Sequence, residues 1–252
     1  MILEIAVVLL GLGVLLLDLW TPAAKKRELG LYAAAVVVAI LGGSFLIDAG
    51  AEPRYAFGGM YVQDGLALFF KRMFLFSMAI VLVMSTEIAD RIHGGISEYC
   101  ALTLFAGAGM MLSASSNGLA MLFVSIELIT VTFYILVSIQ RSETRALEAG
   151  VKYLIIGALS SAVMVYGIAL VFGISGEMTF IAYTADGSLD VKNCLAGLSG
   201  QYAGNPLFLT GVFFILFGLA FKVAAFPFQF WAPDVYHGAL APTSAFLAVG
   251  SK

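Results

Sequence analysis

The sequence predicts an all-α bundle of membrane-spanning helices. Three observations carry this. Of 252 residues, 61% are hydrophobic and only 12% charged, whereas a soluble domain carries about 25% charged residues. The charges are also unevenly spread: Leu29 to Ile47 is 19 residues without one, and Tyr153 to Gly176 is 24. A helix needs roughly 20 apolar residues to cross the hydrocarbon core. Finally, the apolar runs are continuous rather than alternating. Only helices and closed barrels satisfy their backbone groups in lipid, and a barrel would alternate.

The spans are expected at about 2–20, 30–48, 65–86, 99–114, 118–139, 149–174 and 206–231, with an eighth starting near Ala241. The first is read as a span and not a signal peptide, because Met1-Ile-Leu-Glu4 places an acid and no base before the apolar run. Ser113-Ala-Ser-Ser-Asn-Gly118 is expected to be a tight surface turn. Asn205-Pro206 reads as N-cap and first helical residue of the seventh span. Lys25, Lys26, Arg27, Arg91, Arg141 and Arg145 follow spans one, three and five, against Arg54 and Lys192 after spans two and six. The positive-inside rule then puts the first set in the cytoplasm and the N-terminus outside. An eighth helix running from Ala241 to Lys252 climbs about 17 Å, about half of a roughly 30 Å core, so the chain is expected to be a fragment of a longer one.

Some function classes find no support. The net charge of −3 does not suggest a nucleic-acid partner. Cys100 and Cys194 are too few for a four-thiolate cluster and have no spacing that argues a disulfide. Gly11-Leu-Gly13 and Gly107-Ala-Gly109 lack the third glycine of a dinucleotide fingerprint and lie in spans. There is no P-loop or zinc spacing, and His93 and His237 read as solvated loop residues, so no cofactor is expected in this chain.

An ionisable residue at mid-bilayer costs about 2.5–3.5 kcal/mol on insertion scales, so its first reading is functional. Glu127 is the only charge between Glu98 and Arg141, and Thr130, Tyr134 and Ser138 continue its stripe. It is a proton or pairing residue, or else a structural ion pair. Lys222 lies deep in the seventh span with Pro227 five residues on. Proline removes a backbone donor and would free the carbonyl of Val223, and broken helices build ion sites at membrane depth. Burial disfavours an ammonium and a nearby carboxylate favours it, so moving the carboxylate would switch the proton. The alternative is a lysine that snorkels and anchors the helix. Lys252 is a third candidate if the eighth helix ends at mid-membrane. Lys152 is a fourth, nearer the cytoplasmic end, where it could also snorkel. Glu4, Asp18, Lys71 and Arg72 lie nearer span ends or could pair locally, and are read as structural.

At these residues the chain resembles a known family. Lys222-Val-Ala-Ala-Phe-Pro-Phe-Gln-Phe-Trp-Ala-Pro-Asp-Val-Tyr-His-Gly238 resembles the broken seventh helix of the antiporter-like subunits of respiratory complex I. Phe123-Val-Ser-Ile-Glu-Leu128 resembles their fifth helix, Glu148-Ala-Gly-Val-Lys-Tyr153 the start of the sixth, and Pro242 to Lys252 the eighth. Gln229 stands where the family often has histidine, and Leu240 where proline is usual. The resemblance implies three leading helices over 1–98 and, over 99–252, an incomplete first copy of two inverted five-helix repeats. It also implies proton translocation. Glu127 would tune Lys222, Lys252 would pass the proton on, and Lys152 would assist. NADH, FMN, iron–sulfur clusters and quinone would belong to partner subunits. Partners would be other membrane subunits, the bilayer, protons and buried water, in the bacterial inner membrane. A cation/proton antiporter subunit and a purely structural membrane subunit remain open as alternatives.

Overall fold

The computed structural model describes residues 1–22, 25–47, 53–89, 92, 95–182, 190 and 194–251. Arg91, His93, Lys192 and Lys252, each used above, lie outside them. The helices are α1 (Ile2–Trp20), α2 (Lys26–Ser44), α3 (Gly65–Glu87), α4 (Ile96–Ala114), α5 (Leu119–Val137), α6 (Thr144–Ser175), α7 (Leu195–Tyr202), α8 (Pro206–Lys222), α9 (Trp231–Gly238) and α10 (Ala241–Val249). Helices α1 to α6 are each long and apolar enough to cross a membrane. Strands β1 (Arg54–Ala56) and β2 (Tyr61–Gln63) pair antiparallel between α2 and α3, with Tyr55 opposite Val62. The structure is thus the all-α polytopic bundle that the sequence predicts.

Helix α4 lies at the centre, packed against α1, α3 and α5. Its small residues make that possible. A Cβ on Gly107 would collide with Met78 of α3, and one on Gly109 would lie 2.9 Å from Ile129 of α5. Gly107 and Gly109, dismissed above as a nucleotide motif, therefore serve close helix packing. Helices α6 and α8 also meet backbone to backbone, since a Cβ on Gly167 would sit 2.6 Å from the carbonyl oxygen of Gly211. Outward faces remain apolar, with Leu9, Leu16 and Trp20 on α1 and Ile155 and Leu159 on α6 well exposed. In lipid such side chains need no burial.

Helix ends follow local chemistry. Asp64 caps α3 by accepting from the backbone N–H of Ala67 at 2.7 Å. Asn205 accepts from Leu207 and Phe208 and Pro206 opens α8, as expected. Gly176 closes α6 in the left-handed region, φ 73°.

Three expectations shift. Helix α2 begins at Lys26, not near residue 30, because Lys26 reaches Asp18 of α1 (2.8 Å) and its charged first turn stays helical. Helix α6 begins at Thr144, so its first turn is charged and lies beyond the apolar stretch. The Ser113–Gly118 turn is not on the surface: Ser115 is fully buried and Asn117 nearly so. The β1–β2 hairpin covers it, with Val62 N–H donating to the Ser115 carbonyl (2.8 Å). The Asn117 side-chain amide donates to the carbonyls of Gly59 (2.8 Å) and Ile181 (2.7 Å), tying the hairpin to the segment after α6.

The seventh span is broken. Helix α8 stops at Lys222, and α9 resumes at Trp231. The break falls ahead of Pro227: Ala224 takes a positive φ of 54°, and the Trp231 indole donates to the Phe221 carbonyl at 3.1 Å. The Phe221 carbonyl thus accepts both from the Ala224 N–H at the break (3.0 Å) and from the helix beyond it.

Candidate functional site

Three helices build the site. Helix α5 presents Glu127 and Thr130, three residues apart and so on one face. Helix α6 presents Ser161. Helix α8 ends on Lys222, where the carbonyl end of a helix favours a cation. Lys222 Nζ donates to Glu127 Oε1 (3.1 Å), Thr130 Oγ1 (3.2 Å) and Ser161 Oγ (3.0 Å). An ammonium has three protons, and each has an acceptor. Ser161 Oγ in turn reaches Glu127 Oε1 at 2.5 Å and the Gly157 carbonyl at 3.0 Å. The Lys222 side chain is 8% exposed and that of Glu127 26%, so the carboxylate is the member with room to move. Ser160 donates to the Gly218 carbonyl at 3.2 Å and holds α8 against α6.

Tyr134 continues the α5 stripe one turn past Thr130. Its ring meets Tyr153 of α6 edge-on at 4.8 Å, and Tyr153 stacks on Trp231 of α9 at 4.7 Å. Ser138, the last residue of the stripe, packs against Gly150 of α6.

Of the four expected residues, the structure brings Glu127 and Lys222 together. Lys152 lies apart and half-exposed, bridging Glu148 (2.8 Å) in its own helix and Asp234 of α9 (2.9 Å). His237 is exposed as expected but sits in α9, not in a loop. Ser161 was not anticipated. Its only signal is a serine pair, Ser160-Ser161, inside an uncharged run.

Glu4 of α1, read above as structural, pairs locally with the Met1 ammonium (3.1 Å) and also across the bundle with Lys71 of α3 at 2.7 Å, where the two side chains are 4% and 1% exposed. Tyr61 of β2 donates to Glu4 Oε1 (2.8 Å) and accepts from Lys71 (2.9 Å). Burial and the Glu4 carboxylate push the Tyr61 phenol above its usual range, so it stays protonated. Asp18 does pair nearby, with Lys26 and Ser97, and Arg72 donates to the Ser44 carbonyl (2.9 Å) over the Phe45 ring. Removing one partner of a buried pair costs about 3–5 kcal/mol, whereas removing both is often near neutral. Glu4→Gln is therefore expected to lower thermal stability in detergent markedly, and Glu4→Gln with Lys71→Met to recover most of it. Equal melting of the single and double variants would refute this. Cys100 and Cys194 are both buried and free.

A family model described as "NADH:quinone oxidoreductase/Mrp antiporter, TM" matches residues 116–252. The chain belongs to this family. The matched region holds α5 to α10, and with them Glu127, Ser161 and Lys222, while Glu4 and Lys71 lie before it. Similar curated proteins include NADH-quinone oxidoreductase subunit N of Desulforamulus reducens, 36% identical over 99% of this chain and 49% of that protein. Subunit N of Rhodospirillum rubrum is also 36% identical, with the same coverage. The chain thus spans about half the length of the curated relatives it matches. Among solved structures, respiratory complex I from Thermus thermophilus with bound aureothin contains a similar chain. It has TM-score 0.71 and 27% identity, and covers 98% of this chain and 52% of that one. The membrane-bound sulfane sulfur reductase, an archaeal respiratory membrane complex, shares the fold: TM-score 0.74 at 20% identity, covering 99% of this chain and 50% of that one.

Proposed function

We propose that the chain serves a proton-translocating membrane subunit of an NADH:quinone oxidoreductase. The observation that carries this reading is the buried Lys222–Glu127 pair, 3.1 Å apart at a helix break. Such a pair is costly in a membrane and is rarely kept without use. Lys222 holds the proton and Glu127 sets how firmly. Thr130 and Ser161 keep the ammonium satisfied while the carboxylate moves. Lys152, in its cluster with Glu148 and Asp234, exchanges protons at the cytoplasmic end, and Lys252 passes the proton onward.

On this reading residues 1–98 are three leading helices and 99–252 belong to the first antiporter-like repeat. The protein sits in the bacterial inner membrane with its N-terminus outward, beside other membrane subunits. NADH oxidation and quinone reduction take place in partner subunits that hold the flavin and iron–sulfur clusters.

A cation/proton antiporter subunit would use the same pair without redox chemistry, and the family description names both kinds. Gentle purification of the tagged natural protein from membranes separates them. Hydrophilic iron–sulfur subunits and NADH-driven quinone reduction are expected to copurify. An assembly without iron or NADH oxidation would favour the antiporter.

A further inference from the structure

The geometry points to Tyr134 as a proton-relay residue that connects the Lys222–Glu127 site with the polar cleft between α6 and α9. This rests on the reading of that pair as a proton site.

Four observations support it. The Tyr134 side chain is buried, 7% exposed, yet its hydroxyl makes no hydrogen bond of good geometry among the described residues, and the polar side chain beside it is Thr130, whose own hydroxyl is bonded within α5 and to Lys222. A buried polar atom left unmatched opposes folding, and phenylalanine would fill the same space without that cost. The hydroxyl is given its room by α6: a Cβ on Gly157 would collide with Tyr134 Oη. Gly157 is also the residue whose carbonyl receives Ser161, the hydroxyl that contacts both Glu127 and Lys222. Tyr134 Oη thus lies about one helical turn from the charged pair, beside the α6 segment that carries Ser161. On its other side, the ring abuts Tyr153, which stacks on Trp231. Trp231 opens α9, whose Asp234 and His237 line a cleft of about 120 Å³ with Arg145, Glu148 and Lys152. The tyrosine therefore stands between a proton-holding site and a cluster of carboxylates open to water.

A phenol relays without net charge. Its O–H bond breaks as the proton passes, through water, toward the Glu127 carboxylate. A new O–H bond forms as it takes a proton from water on the cleft side, which Glu148 or Asp234 resupplies. Rotation of the hydroxyl then restores the starting state. Oxygen and electrons stay in place, and one proton enters for each that leaves.

The test compares Tyr134→Phe with wild type in the assembled complex, reconstituted in sealed vesicles, with complex content matched. Phenylalanine keeps the ring contact with Tyr153 and removes only the hydroxyl. A positioned proton-transfer group contributes about 10²–10⁴-fold in general acid–base chemistry; water can partly bypass a relay, so a fall of about tenfold in initial proton translocation is expected. The H₂O/D₂O rate ratio should rise with it, which a packing defect alone would not cause. Unchanged translocation and an unchanged isotope effect would overturn the relay. Lys222→Ala, measured alongside, separates the two ideas: if it pumps normally the site reading fails, and if it alone is impaired only the relay does. Should Tyr134→Phe not accumulate, Tyr134→His decides, since its ring still carries an exchangeable proton: retained pumping supports the relay and lost pumping in an assembled complex overturns it.

Discussion

Lys222→Ala is expected to abolish NADH-driven proton translocation in sealed vesicles while the complex still assembles. Among the described residues Lys222 supplies the one cation bonded to Glu127, and its three hydrogen bonds converge from α5 and α6. Without it the carboxylate loses its counter-charge, and the site loses the amine that would take up and release a proton. Assembly survives because the Glu127 side chain is 26% exposed and still accepts from Ser161. The fold around the site rests on the α6–α8 backbone contact at Gly167 and Gly211, which the substitution does not touch. Lys222→Arg sharpens the test. A guanidinium keeps the charge and pairs well with a carboxylate, but it does not release its proton. The arginine variant should assemble at least as well as the alanine variant and still fail to pump. Pumping by Lys222→Arg at the wild-type rate would show that charge alone matters. Pumping by Lys222→Ala at that rate would remove the lysine from the mechanism.

How much of this was legible in the sequence depended on whether a residue carried a visible penalty. Uncharged runs of apolar residues mark the spans because lipid tolerates nothing else at that length, and the helices fall where those runs lie. Glu127 and Lys222 stood out as lone charges in such runs, and the structure places them in contact. Ser161 carries no charge and can satisfy its hydroxyl on its own helix, so nothing in its neighbourhood set it apart. Its role appears only when α6 is laid beside α5. The break in the seventh span was legible from Pro227, but its position was not. It is set by Ala224 in a left-handed conformation that alanine rarely adopts, held by the Trp231 indole on the Phe221 carbonyl. The Glu4–Lys71 pair was hidden because spacing reports neighbours on one helix and is silent about contacts between helices. The β1–β2 hairpin did leave a trace in Tyr55, Tyr61 and Val62 around Gly58-Gly59, which the surrounding apolar spans outweighed. Lys152 was read as lying nearer a span end, where it could snorkel, and it sits half-exposed between Glu148 and Asp234.

The second large effect is non-additivity between Glu127 and Lys222. In a double-mutant cycle of Glu127→Gln, Lys222→Met and the pair, each single change is expected to remove most of the pumping, and the double variant to be no worse than either. Residues that act as one unit behave this way, because the first loss already disables the step that the second would disable. Stability offers an independent readout. Glu127→Gln alone leaves the Lys222 ammonium, 8% exposed, without its carboxylate. Lys222→Met alone leaves the carboxylate without its cation, although that side chain is 26% exposed and part of the cost is met by solvent. The double variant leaves no orphaned charge, and its glutamine still accepts from Ser161. Its thermal unfolding in detergent should therefore lie above that of Glu127→Gln, with a coupling energy of about 0.5–3 kcal/mol, the range for residues in contact. The asymmetry between the singles is itself diagnostic: Glu127→Gln should be the less stable, because the lysine is the more deeply buried partner. Additive effects on both pumping and unfolding would mean that the two residues act separately, and the 3.1 Å contact would then be incidental to proton movement.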